Sequence, residues 1–239
     1  MGIAAPRVRS AIVGLGLIIG LATAVAAAAA LPSALPHAER ERLEAIARAA
    51  AVSTHVDAQP FVARPEIFQF LLDHPDFATR VTRVLKVSRY RIWREADGLH
   101  LDDGWGTVGR FAVVYAAGRT RVMYARGVYQ KRFLPDIHGE AVVMIEYQVR
   151  PAPEGKSIIA AAVTGFVKLD SGLLSMATKL ATPVAQAKAD KEAKKLVKLF
   201  AKVSRAAEEQ PQALCQDLAR EPDVSRQDLE EFRRLLRVN

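Results

Sequence analysis

Among 239 residues there is a single cysteine, Cys215, which excludes an intramolecular disulfide framework and any cysteine-built metal site. The usual metal-ligating patterns are missing too: no H-E-x-x-H, no C-x-x-C and no histidine pair at helical spacing, so no metal is expected. No G-x-S-x-G elbow and no P-loop occurs. Glycine (14) and proline (12) are too few for a fibrous chain, and a hydrophobic share of 50% is too high for a disordered one. Aromatic residues are only 7% of the chain, and the most lysine-rich stretch, residues 183–207, holds just Phe200, too little for the interleaving of a single-strand nucleic-acid binder. No nucleic-acid partner is expected.

Acidic residues are absent from the first 38 positions, where Arg7 and Arg9 precede an apolar run over residues 11–31 that ends in small residues. Several A-x-A sites within that end make residues 1–30 an export signal. The run is also long enough to span a bilayer, which leaves an uncleaved anchor as the alternative. No cysteine follows it closely, so lipoprotein anchoring is excluded. Either reading places the remainder in the periplasm or otherwise outside the cytoplasm. The net charge of +8 is concentrated further on: residues 183–207 hold seven bases and two acids, whereas residues 208–239 hold eight acids and five bases.

Residues 38–51, rich in Glu, Arg and Ala, read as a short exposed helix within an extension over residues 31–51. Residues 52–62 are strand-like. Ile67, Phe68, Phe70, Leu71 and Leu72 fall at helical spacing behind Pro65, which suits a first turn, and a second short helix follows over residues 75–85. The period then changes from 3.6 to 2, giving strands at 88–95, 99–102, 106–116, 120–132, 140–150 and 157–169, separated by short turn-like segments. Short turns imply an antiparallel meander. A long helix is expected over residues 171–207, interrupted or restarted at Pro183, with Ala193, Leu196, Phe200 and Val203 on one stripe. Residues 208–239 read as a polar tail ending in a helix capped by Ser225.

A two-residue Ala117-Gly118 turn pairs Val113 with Val122 and Phe111 with Tyr124. That register puts Phe111, Val113, Tyr115, Val122 and Tyr124 on one face, the better cavity lining, with Arg126 beside them. By the same alternation Val143, Ile145, Tyr147 and Val149 point inward, as do Ile159, Ala161, Val163 and Val167.

The element order, strand, two short helices, six-stranded meander and long C-terminal helix, resembles the helix-grip fold of the START-like, polyketide cyclase-like superfamily. The text Val56-Asp57-Ala58, then Pro65-Glu66-Ile67-Phe68-Gln69-Phe70-Leu71-Leu72-Asp73 and His74-Pro75-Asp76-Phe77, is similar to that superfamily's opening phrase, with residues 59–64 inserted before the helix. The resemblance covers residues 52–207. It implies an α+β fold in which a curved antiparallel sheet of about seven strands wraps the last helix around a deep apolar cavity.

The literal G-x-G-x-x-G at Gly104, Gly106 and Gly109 precedes a strand, not a helix, so it is read as a turn and a bend, and no cofactor is expected. His55, His74, His100 and His138 each stand within two residues of an acid, but turns and solvation account for such histidines. Arg126 and Glu146 are charges inside largely apolar strands. Arg126 is expected either to meet a polar ligand head or to lie at the open rim with its head in water.

The resulting expectation is an exported binding protein enclosing a hydrophobic ligand (lipid, polyprenyl or polycyclic) for transfer or presentation at a membrane. The ligand set is Phe111, Val113, Tyr115, Val122, Tyr124, Arg126, Val143, Ile145, Tyr147, Ala161 and Val163. Lys188, Lys191, Lys195, Lys198 and Lys202 form the surface toward anionic lipid, a solvated face being the alternative. A cyclase- or dehydratase-like enzyme, with two convergent titratable groups in the same cavity, is the rival, and a partner-binding envelope protein a third possibility.

Overall fold

The computed structural model describes residues 30–130, 132, 136–153, 156–170 and 182–238. The expected signal segment over residues 1–29 and the first part of the expected long helix, residues 171–181, lie outside the described residues, as does the side chain of Lys188.

Prolines open several of the helices. Pro65 and Pro75 each sit in a first turn, where the missing N–H has no intrahelical partner to lose, and start α2 (Pro65–Asp73) and α3 (Pro75–Val84). They follow a helix near the N-terminus, α1 (His37–Arg48), and two short strands, β1 (Val52–Asp57) and β2 (Phe61–Ala63). The single strand expected over 52–62 is divided at residues 58–60, where Pro60 cannot donate to a ladder. The sheet therefore has eight strands where about seven were expected.

The meander is β3 (Arg91–Glu95), β4 (Gly98–Asp102), β5 (Thr107–Ala117), β6 (Thr120–Tyr129), β7 (Ile137–Pro151) and β8 (Ser157–Leu169). Every pairing is antiparallel, in the order β1-β8-β7-β6-β5-β4-β3, with β2 also on β8. The curved sheet holds α4 (Thr182–Glu209) against its concave face, where the helix contacts β1, β2 and β8. This is an α+β helix-grip architecture.

The β5–β6 register corrects the expected one. The turn is Gly118-Arg119, not Ala117-Gly118: Gly118 leads it at φ +53°, the position at which a two-residue hairpin turn with one left-handed residue needs glycine. Ala117 pairs with Thr120 and Tyr115 with Val122; a bulge between Val113 and Tyr115 then sets Val113 against Met123 and Phe111 against Ala125. Met123 therefore faces the concave side, while Val122 and Tyr124 face the convex side.

That convex side is covered. Leu43 and Ile46 of α1 are buried against Val122, Val142, Met144 and Phe166, so α1 is an amphipathic cover and not the exposed helix its composition suggested. Arg42 of α1 lies 4.1 Å above the Tyr124 ring, and the Tyr124 hydroxyl donates to Glu140 Oε1 at 2.7 Å.

The polar tail is likewise part of the core. Its two helices, α5 (Pro211–Ala219) and α6 (Arg226–Leu236), bury Leu214, Cys215, Leu218, Leu229, Phe232 and Leu236 against Ile67, Phe70, Phe77 and Val81 of α2 and α3 and against Val203 and Ala207 of α4. Ser225 caps α6 as expected, its hydroxyl accepting from Asp228 N at 3.2 Å. Phe232 stacks on Phe70 and meets Phe77 edge-on at 5.1 Å. Replacing Phe232 by Ala is expected to cost about 3–5 kcal/mol in equilibrium urea unfolding. A loss below about 1 kcal/mol, within the range of ordinary surface changes, would show that the tail is not integral to the fold.

Candidate functional site

Between the concave face and α4 lies a cavity of about 390 Å³, within the range of small-molecule sites. The alternation of β strands supplies one wall: Phe111, Met123, Val143, Ile145 and Val163. The stripe Ala193, Leu196, Phe200 and Val203 of α4 supplies the opposite one, and Phe68, Leu71 and Leu72 of α2 close an end. An aromatic cluster stiffens that end, Phe68 meeting Phe61, Tyr147 and Phe200 edge-on at 5.7, 5.1 and 5.2 Å.

Several hydroxyls reach the lining without making it polar, because their hydrogen bonds are spent on the backbone. Thr79 Oγ1 donates to Asp76 O at 2.9 Å and accepts from Ile92 N at 3.1 Å; Thr82 Oγ1 donates to Thr79 O; Ser88 Oγ accepts from Tyr90 N. Among the described residues the ionisable groups in the wall are Tyr90 and Glu192, at the edge where the α3–β3 connection meets α4. The Tyr90 hydroxyl donates to Glu192 Oε2, and Lys195 Nζ lies 2.7 Å from Glu192 Oε1. Burial, reinforced by the bond to Glu192, raises the Tyr90 pKa far above the usual phenol range, so this group keeps its proton.

Of the expected ligand residues, Phe111, Val143, Ile145 and Val163 line the cavity. Val113, Tyr147 and Ala161 belong to the same concave-face core but do not form the lining; Tyr147 instead accepts from Gln69 Nε2 at 2.7 Å and packs on Phe68. Tyr115, Val122 and Tyr124 are corrected to the opposite face, where they pack with α1, because the turn and the bulge shift the register. Arg126 is corrected with them: it shares the convex face of Tyr124, is exposed, and pairs across the strand with Glu140. Residues that sequence reasoning did not place here include Met123, Phe68, Tyr90, Ile92, Leu101 and Glu192. The alternation of Tyr90 and Ile92, continued across the Ala96-Asp97 turn by Leu99 and Leu101, carried that signal.

The histidines stay clear of the cavity. His55 Nδ1 lies 2.9 Å from Thr164 Oγ1, His74 lies 3.1 Å from Asp228, and His138 is exposed on β7. His100 Nε2 sits 2.7 Å from Asp97 Oδ1 on the β3–β4 hairpin, with Glu95 nearby; that bond, helped by Arg110 on the other oxygen, holds the Asp97 carboxyl below its ordinary range. The three glycines of the G-x-G-x-x-G text serve the backbone. Gly104 and Gly106 take φ of +70° and +110° in the β4–β5 turn, and at Gly109 a Cβ would lie 2.4 Å from Arg126 O. The helix a dinucleotide site needs does not follow them.

Along α4, Lys191, Lys198 and Lys202 are exposed and Lys195 is half-buried. Lys195, Lys198 and Lys202 face a cleft shared with the α3–β3 connection, while Lys191 lies outside it.

No family model and no curated relative matches the chain. Among solved structures it is similar to norcoclaurine synthase from Thalictrum flavum (13% identity, TM-score 0.34, covering 64% of this chain and 86% of that one). It is also similar to a START superfamily protein from Mycobacterium smegmatis (15%, 0.35, 64% and 96%) and to the Zhui aromatase/cyclase from Streptomyces sp. R1128 (11%, 0.34, 67% and 98%). The helix-grip architecture rests on the chain's own strand order and on the helix held in the concave face.

Filling the cavity from the helix side gives a direct check. Ala193→Phe should block uptake of an apolar fluorescent probe such as 1-aminoanthracene, at an overpacking cost of about 1–3 kcal/mol. Uptake equal to that of the unmodified protein would mean that the space between α4 and the sheet is not where apolar molecules enter.

Proposed function

We propose that this protein binds a hydrophobic molecule in the cavity between sheet and α4 and carries or presents it at a membrane, outside the cytoplasm. The observation that carries the reading is the cavity wall itself: aliphatic and aromatic side chains on both sides, with the hydroxyls of Thr79, Thr82 and Ser88 bonded to backbone. Affinity in such a site comes from apolar area removed from water, at about 25 cal/mol per Å². Export and membrane presentation are supported by sequence, through the acid-free apolar start and the lysines of α4.

The enzyme alternative needs two convergent titratable groups free to exchange protons with a substrate. In the described lining the ionisable pair is Tyr90 and Glu192, bonded to each other, with Glu192 also paired to Lys195. That arrangement favours binding over proton transfer.

Organic-solvent extraction of the purified protein followed by mass spectrometry should yield a stoichiometric apolar or amphiphilic compound, and Ala193→Phe should lose it. Single His55→Gln, His74→Gln, His100→Gln and His138→Gln changes should leave its recovery unchanged. Extraction that returns nothing above the level of the Ala193→Phe variant counts against the reading. For location, a reporter active only outside the cytoplasm, fused after Ala51, should be active.

A further inference from the structure

Beside the cavity runs a concave cleft whose charge is strongly one-sided. From α3 and the connection to β3 come Arg83, Lys86, Arg89 and Arg91; from α4, on the facing side, come Lys195, Lys198 and Lys202. The acids in its lining are Asp103 and Asp223. Asp103 accepts from Trp105 N at 2.7 Å and Thr107 N at 2.9 Å, and Asp223 lies 3.2 Å from Arg80 Nη1, so both are engaged in holding the surrounding chain. Arg83 has Glu221 at 4.0 Å and Lys195 has Glu192, but among the described residues no carboxylate lies within ion-pair distance of Lys86, Arg89, Lys198 or Lys202.

Two further features mark the cleft as a built site. Lys86 holds φ +53° in the residue that terminates α3, a left-handed position where glycine or asparagine is the usual solution. A lysine occupies that position here and lines the cleft. Trp105, 56% exposed, is flanked by Arg89 at 5.3 Å and Lys195 at 5.6 Å from its ring, so an aromatic side wall orients two of the cations.

The cleft and the cavity adjoin: Ser88, Tyr90 and Leu199 line both. Building on the hydrophobic-ligand reading above, we infer that the ligand is an amphiphile with a phosphate-bearing head, its apolar part in the cavity and its head in the cleft between Lys86, Arg89, Lys198 and Lys202. The junction at Tyr90 then separates an apolar compartment from a cationic one within a single site. A multivalent anion suits several bases converging from two sides, whereas a flat bilayer surface would be met by bases on one outward face, as Lys191 is placed.

The full chain is titrated calorimetrically with three probes below their micelle concentrations: 1-lauroyl glycerol 3-phosphate, 1-lauroyl glycerol and inorganic phosphate. The phosphorylated amphiphile should bind at least about tenfold tighter than its neutral counterpart, and added salt should shrink the difference. The variant K86Q/R89Q/K198Q/K202Q should lose that preference while binding the neutral probe unchanged. Because Lys198 and Lys202 are exposed, K198Q/K202Q gives the same comparison if the fourfold change does not fold. Equal affinity for both amphiphiles overturns the head assignment and leaves the cavity reading standing; binding of neither overturns the cavity reading itself. Inorganic phosphate binding as tightly as the phosphorylated amphiphile makes the cleft a free-anion site and overturns the joint one. Loss of anionic-vesicle binding in the variant, with discrimination between the monomeric probes intact, assigns the bases to a bilayer and also overturns it.

Discussion

The middle of the sheet is buried on both faces, and this single constraint organises the rest of the molecule. On the convex side Val122, Val142 and Met144 disappear beneath α1; on the concave side Ile145, Ile159 and Val163 meet α2 and α4. Successive residues of a strand alternate between these two interiors, so a one-residue slip exchanges a cavity lining for a helix contact. Each large side chain set against the wrong partners costs about 1–3 kcal/mol in misfitted packing, and several strands slip together. The bulge after Val113 is accommodated within this limit: it lets Val114 and Tyr115 both join the convex core while Phe111 and Val113 stay concave.

Curvature alone does not hold a helix at a distance that leaves a cavity. A polar fastening near the β5–β6 turn sets that distance for α2. Arg121 is 5% exposed, yet its Nε and Nη2 meet Asp73 Oδ1 and Oδ2 at 2.5 and 2.9 Å, and its Nη1 donates to Gly118 O and Thr120 O. The fork geometry of guanidinium on carboxylate fixes orientation as well as separation. The C-terminus of α2 is thereby tied to the sheet at the hairpin, while Gln69 bonds Tyr147 one turn earlier. Phe68, which closes the cavity, immediately precedes Gln69, so its position follows from polar contacts on the same short helix.

What the sequence made legible follows from which signals are local. The α2 and α3 starts at Pro65 and Pro75, the Ser225 cap, the antiparallel meander and the α4 stripe are all set by residues within a turn or two of one another, and the structure has them. The inward sets of β7 and β8 also emerged, since Val143, Ile145, Ile159 and Val163 lie on strands whose alternation is strong. The β6 face was not legible because Val122, Met123 and Tyr124 are all apolar, and hydrophobicity cannot choose between two buried sides. The choice rested on where Gly118 falls in its turn. The burial of α1 and the tail has the same origin: Leu43, Ile46, Phe232 and Leu236 are few among many charges, and their burial depends on partners far along the chain, beyond any local pattern.

Charge on α4 shows the same dependence on distant partners, with a different consequence. Taken alone, lysines spaced by three or four residues describe a solvated face. The structure sets Lys195, Lys198 and Lys202 opposite Lys86, Arg89 and Arg91, across a gap with few acids to offset them. Like charges gathered in this way repel, and a folded chain gains nothing from the arrangement by itself. Dispersing those bases over the surface would relieve the repulsion, and so would neutral residues at Lys86, where the backbone already favours glycine. A counter-anion removes the same repulsion from outside and adds charge-assisted hydrogen bonds. The inner stripe of α4 faces an apolar cavity with little capacity to hold a charged group, so an anion in the cleft and a hydrocarbon in the cavity do not compete for space. The helix thus presents two solvents to a ligand within one turn of its own circumference, and a molecule that is itself divided between a charged and an apolar end is the one that satisfies both.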